Sequence, residues 1–216
     1  MIYSRGRGYI FVHIPKTGGT SMARALENRA MKDDLLVGDT PKARRRKRRL
    51  RDITTSGRLW KHSTLADGIG LYTEAEARAA FVFTMVRNPW DRMVSYYYWL
   101  RSQSFAHPAV GKAKVLTFED FLDDPDTQQA LAGTPYGSYV TLGGCERCDL
   151  FIRLEYLAED VPTLSAHLGF TLDPMHRDNA SERTRDWRIY YTDRTADLVG
   201  GLAAADISRF GYTFDP

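Results

Sequence analysis

In Tyr9-Ile10-Phe11-Val12-His13-Ile14-Pro15-Lys16-Thr17-Gly18-Gly19-Thr20-Ser21, an apolar, β-branched and aromatic run breaks into a short Pro/Gly turn. The turn carries one lysine and three hydroxyls. A helix-like pattern follows, with Met22, Leu26 and Ala30 at spacings of four. This order predicts a strand, a tight loop and a helix start. Such a junction aims backbone N–H groups and a cation at an anion. A phosphate or sulfate ester is therefore the expected ligand class, against the plainer alternative of glycines that serve turn geometry alone.

Further along, Phe81-Val82-Phe83-Thr84-Met85-Val86 is nearly continuous in apolar residues and reads as a buried strand. Arg87-Asn88-Pro89 ends it, and a proline at the first helical turn starts a helix running to about Arg101. Arg87 thus falls at the carboxyl end of a strand, where open α/β sheets place ligands. Its guanidinium suits a bidentate contact with phosphate, and Ser95, about two turns on, can share that phosphate. The alternative is a salt-bridging arginine and a solvent-facing serine.

The remaining pattern is consistent with alternating strands and helices. Thr73-Glu74-Ala75-Glu76 is a capping box, Thr117 to Leu122 opens a short helix that Pro125 stops, and Leu150 to Leu154 reads as a strand. Glu159 to Leu168 looks helical, with Gly169 as its C-cap, and one final helix carries Leu198, Val199 and Leu202. The alternation predicts an α/β fold: a three-layer nucleotide-binding domain with a mainly parallel central sheet. One domain spanning 1–216 is expected, with a basic excursion at about 33–57.

Composition narrows the function classes. The 216 residues and net charge of +3 are those of an ordinary globular chain. No apolar run approaches the roughly 20 residues that span a bilayer. The first eight residues lack a hydrophobic signal core, so the expectation is a cytoplasmic protein. Cys145 and Cys148 form one Cys-x-x-Cys pair without a second, which favours a structural or incidental pair over a redox or metal role.

The Pro15–Ser21 loop is not a Walker A motif, because Lys16 precedes Gly18-Gly19 instead of following the last glycine. Together the two segments resemble the sulfotransferase superfamily, in its heparan and chondroitin branch with bacterial relatives (sulfotransferase family 2-like). His13 to Ser21 looks like that branch's 5′-phosphosulfate loop, and Val86 to Ser95 like its 3′-phosphate element. The likeness continues in Phe151-Ile152-Arg153-Leu154-Glu155 with Asp160, in Tyr190-Tyr191, and from Asp206-Ile207 to Phe214. It implies a P-loop NTPase-like fold, the donor 3′-phosphoadenosine 5′-phosphosulfate (PAPS) and no metal requirement. Lys16, Thr17, Gly18, Gly19, Thr20 and Ser21 would then hold the 5′ end, with Lys16 also catalytic. Arg87 and Ser95 would read the 3′-phosphate. The later loop Asn179 to Arg185 resembles one that closes over the nucleotide, with Ser181 and Arg183 adding contacts.

Among the five histidines, His62 in Trp60-Lys61-His62-Ser63-Thr64 is the best candidate base. It lies between the nucleotide motifs, where related enzymes place a base-bearing loop, and an imidazole suits proton acceptance near neutrality. A histidine satisfied within a loop is the alternative. The basic run Lys42 to Arg51 has three readings: a solvated helix face, a clamp for an anionic acceptor such as an acidic saccharide, or a nucleic-acid patch. Nucleic acid ranks last, since the run has no interleaved aromatics for base stacking. The reading is a PAPS-dependent sulfotransferase acting on a hydroxyl, with a carbohydrate acceptor as what the family resemblance implies. Its rivals are a nucleoside-triphosphate-dependent kinase or phosphotransferase and a non-catalytic nucleotide- or polyanion-binding protein.

Overall fold

In the computed structural model, which describes residues 1–172, 184 and 186–215, the apolar run Tyr9–Val12 is a strand buried along its whole length. In chain order, Met1–Val86 contains strands β1 (Ile2–Ser4) and β2 (Tyr9–Val12), helix α1 (Gly19–Asn28) and strand β3 (Leu35–Leu36). Helices α2 (Pro41–Arg46) and α3 (Glu74–Ala79) and strand β4 (Phe81–Val86) follow, with a 3-10 turn at Lys47–Leu50 behind α2. Next come α4 (Pro89–Arg101), α5 (Pro108–Val115), α6 (Phe118–Asp123) and α7 (Pro125–Gly133). After them lie β5 (Thr141–Leu142), β6 (Cys145–Glu146), β7 (Leu150–Arg153), α8 (Leu157–Leu168), α9 (Asp193–Leu202) and α10 (Ala204–Phe210). The chain divides into two compact units, Met1–Val86 with Tyr136–Asp178, and Arg87–Pro135 with Asn179–Pro216.

The first unit is built on a sheet of order β3-β1-β2-β4-β7. β2 and β7 both run parallel to β4, while β1 is antiparallel to β2 and β3, so β1 alone opposes the common direction. The mainly parallel sheet predicted from the alternation is therefore present. Side chains alternate across it. Phe11, Phe83 and Ile152 pack on one face with Met22 and Leu26 of α1 and Leu164 of α8. Ile10, Val12 and Val82 pack on the other with Leu65, Tyr72, Ala77 of α3 and Leu142 of β5. Each of the fully buried Phe11 and Phe83 side chains contributes roughly 1.5–3 kcal/mol by leaving water. One polar group sits inside the ladder: the Thr84 hydroxyl donates to Val12 O at 2.7 Å, satisfying a buried donor where β2 runs into the loop.

The second unit is helical. Asn88 caps α4 by accepting from Trp90 N at 3.1 Å, with Pro89 in the first turn. Trp90, Val94 and Tyr97 then face a core shared with Phe121, Val199 and Tyr212. The Trp90 indole donates to Ala196 O at 2.8 Å, and the Tyr191 hydroxyl donates to Trp90 O at 2.8 Å.

Three expectations need correction. α1 ends at Asn28, so Ala30 packs beside the core from beyond the helix. Pro125 does not merely stop a helix: Asp124 caps the next one, α7, and the proline sits in its first turn, where no N–H is needed. The final helix is two, divided at Ala203. Among the described residues, no helix is long and apolar enough to cross a membrane.

Candidate functional site

The first unit's loop is shaped by its own backbone. Lys16 is left-handed at φ 67°, and Gly18 at φ 85° is the N-cap of α1. The Thr17 hydroxyl is fully buried and donates to Ile14 O at 2.9 Å, which closes the turn. That hydroxyl is thus engaged in scaffolding. Ser21 N donates to Gly18 O at 3.1 Å, and no side chain caps α1. Glycine at the N-cap leaves the positive end of a ten-residue helix without a side-chain acceptor, which suits an anion.

Gly18 is favoured by its left-handed backbone, and Gly19 by what surrounds it. A methyl group on Gly18 would meet Leu154 Cδ1 at 2.8 Å, and one on Gly19 would meet the His13 ring at 2.2 Å. His13 is buried and its ring is held by Phe11 and His62, so it has little room to yield. Gly19→Ala is accordingly expected to cost about 1–3 kcal/mol through overpacking. Urea titration checks this, and an unchanged midpoint would contradict it.

His62 is brought to this loop. Its Nδ1 lies 2.8 Å from His13 O, and the two rings meet edge-on at 4.6 Å. A carbonyl only accepts, so Nδ1 carries the proton and Nε2 is left with the lone pair. Burial pushes the His62 pKa down to about 3; the bond to His13 O works against this, and the Lys61 charge adds to it. His13 is lowered as well, first by burial and then by His62. Both imidazoles are neutral around neutral pH.

Beside His13 lies a small cavity of mixed lining, where Met1, Ile2 and Val37 meet Thr20, Glu27, Asp39, Thr40 and Lys61. Lys61 Nζ pairs with Asp39 Oδ2 at 2.8 Å. Burial alone would raise the Asp39 carboxyl, but the bond from Lys61 prevails and holds it low. Glu27, 5 % exposed, is pushed up by burial and receives the Thr40 hydroxyl at 2.7 Å. Thr40 also caps α2. The contacts of His13, Glu27 and Asp39 were not anticipated, because each joins positions far apart in sequence. Thr40-Pro41 does carry a local signal, a capping threonine followed by a first-turn proline.

In the second unit, Arg87 lies one residue before the Asn88 cap of α4 and its fork closes on Asp91, with Nε and Nη2 at 2.9 and 2.6 Å from Oδ2. Ser95 is buried on the same helix. Ser181 and Arg183 lie outside the described residues. In the first unit, the Arg153 guanidinium binds Asp160 through Nε and Nη2 at 3.0 and 2.8 Å, tying β7 to α8. Cys145 is exposed, and the Cys148 thiol donates to Leu150 O at 3.3 Å. Among the described residues, no three His, Cys, Asp or Glu side chains are grouped to hold a metal.

A family model described as "Sulfotransferase family" matches residues 1–195. A search of curated proteins found no match. Similar solved structures include mouse sulfotransferase SULT7A1 complexed with PAP, at 14 % identity and a TM-score of 0.49, covering 95 % of this chain and 85 % of that one. Another is a sulfotransferase from Alicyclobacillus acidocaldarius, at 17 % identity and a TM-score of 0.41, covering 94 % and 98 %.

Proposed function

The chain belongs to the sulfotransferase family, and on that premise we propose that it moves the sulfuryl group of PAPS to a carbohydrate hydroxyl. The observation that carries this reading is the uncapped, lysine-bearing turn at α1, with a neutral imidazole of fixed tautomer beside it. The turn supplies anion-binding backbone and a cation, and His62 Nε2 supplies a proton acceptor.

In this scheme the acceptor oxygen attacks sulfur in line with the departing 5′-phosphate, and its proton passes to His62 Nε2. The bond from sulfur to the bridging oxygen breaks, and Lys16 neutralises the charge that collects there. The backbone at Thr17, Gly18 and Gly19, together with the Thr20 and Ser21 side chains, holds the 5′-phosphate. A donor carrying several negative charges also raises the His62 pKa from about 3, which improves the base when the donor is bound. Arg87 and Ser95 read the 3′-phosphate, with Asp91 orienting the Arg87 fork; Ser181 and Arg183 complete that contact set.

This division of roles separates two defects. Arg87→Ala should weaken binding of adenosine 3′,5′-bisphosphate (PAP) roughly 10- to 100-fold, the worth of hydrogen bonds to a charged group. Turnover at saturating donor should change only a few-fold. An unchanged affinity would remove Arg87 from the donor site. The activity itself is tested with radiolabelled PAPS and a panel of saccharide, phenol and peptide hydroxyls. Label in saccharides supports the proposal, whereas ATP- and Mg²⁺-dependent phosphorylation without sulfate transfer would replace it.

A further inference from the structure

Asp39 stands on a short, well-held segment between β3 and Thr40, the cap of α2. Ahead of it, Val37 N donates to Met1 O at 2.9 Å. Behind it, the Thr40 hydroxyl donates to the buried Glu27 carboxylate at 2.7 Å. From this segment Asp39 Oδ2 meets Lys61 Nζ at 2.8 Å, 22 positions away. The two stretches of chain run close there, since a methyl group on Gly38 would come within 4.0 Å of Lys61 Cβ. Both side chains are partly exposed, so the ion pair adds little to stability. Its place beside the proposed base gives it a different use.

Lys61 directly precedes His62, whose Nδ1 is fixed on His13 O and whose Nε2 carries the lone pair. Burial is the first cause that disfavours the imidazolium there. The Lys61 charge also disfavours it, and the Asp39 charge favours it. A base that becomes cationic during attack is weakened by an unbalanced neighbouring cation and strengthened by a neighbouring anion. Asp39 supplies the anion and ties up the cation with it.

We infer that Asp39 is a positioning residue for the proton transfer: it holds Lys61 and balances its charge, so that His62 can take the acceptor's proton. This rests on the sulfuryl-transfer reading above, with His62 as base. In that step the acceptor O–H bond breaks and the proton goes to His62 Nε2. An electron pair of the acceptor oxygen forms the bond to sulfur, and the pair between sulfur and the bridging oxygen leaves with the 5′-phosphate. Asp39 neither gains nor loses a proton, and it acts only through Lys61 and the field at His62.

A double-mutant cycle of Asp39→Asn with Lys61→Met tests this, using the acceptor that the hydroxyl panel labels most. For each variant kcat and donor KM are measured, with PAP affinity and the urea midpoint alongside. Asp39→Asn should lower kcat roughly three- to thirtyfold, within the range of couplings between groups in contact. Donor KM and PAP affinity should stay within about twofold, as for a group that acts on the chemical step. In the Lys61→Met background the same change should alter kcat less than about twofold, because the charge to be balanced is gone. Asp39→Glu should restore most of the turnover. Parental kcat in Asp39→Asn overturns the inference, as does an equal loss in both backgrounds or a loss matched by a lowered urea midpoint. Undiminished turnover in His62→Asn, or no label in any acceptor, sinks the underlying reading and this inference with it. A large loss in His62→Asn without coupling in the cycle sinks this inference alone.

Discussion

Lys16→Ala is expected to lower turnover about 100- to 1000-fold at saturating PAPS, the loss that follows removal of one preorganised electrostatic donor. The cause is local. In the proposed reaction, charge builds on the bridging oxygen as the bond to sulfur breaks, and the ammonium is the group assigned to meet it. The backbone at this position is left-handed, at φ 67°. Alanine keeps a Cβ and so leaves the turn's strain largely as it was, which glycine would not. The loss should appear in kcat more than in donor affinity, because an interaction realised mainly in the transition state acts on the chemical step. Initial rates over a PAPS titration check this, and a loss below about tenfold would take Lys16 out of the reaction.

His62→Asn is expected to lower kcat roughly 100- to 10,000-fold, the range for a positioned general base. An asparagine amide can still donate to His13 O, so the loop keeps its tie while the proton acceptor disappears. The same substitution reports on acid stability. The native His62 pKa is about 3, below the ordinary histidine value, because burial disfavours the imidazolium. Between those values the unfolded chain binds more protons than the native one, so stability falls as pH drops from about 6.5 toward 3. His13, lowered in the same direction, adds to that fall. His62→Asn should therefore lose less Tm than the parent between about pH 7 and about pH 4.5. An equal loss would place the acid sensitivity elsewhere.

Where local chemistry decides structure, the sequence was readable. β4 follows from its continuous apolar run, and the α3 capping box from Thr73 and Glu76. The end of α8 follows from Gly169, which sits at φ 72°. Strands too short to show a period were not readable: β1 has three residues and β3 two, and both exist through pairing with neighbours. The β5–β6 hairpin did carry a signal, since Gly143-Gly144 separates the two strands and both glycines have positive φ.

The candidate site divides in the same way. The Lys16 turn announces itself through glycine, lysine and hydroxyls in a row. That His62 points its Nδ1 at His13 O, 49 positions away, follows only from the fold. The same holds for Lys42 and Arg46 of the basic run, whose bonds to Glu27 O and Met31 O follow only from the fold.

The most direct test of the account is calorimetric titration of the protein with PAP and, separately, with ATP plus Mg²⁺. The account predicts binding of PAP in about the micromolar range and none of ATP. Tight binding of ATP with no heat from PAP would contradict it.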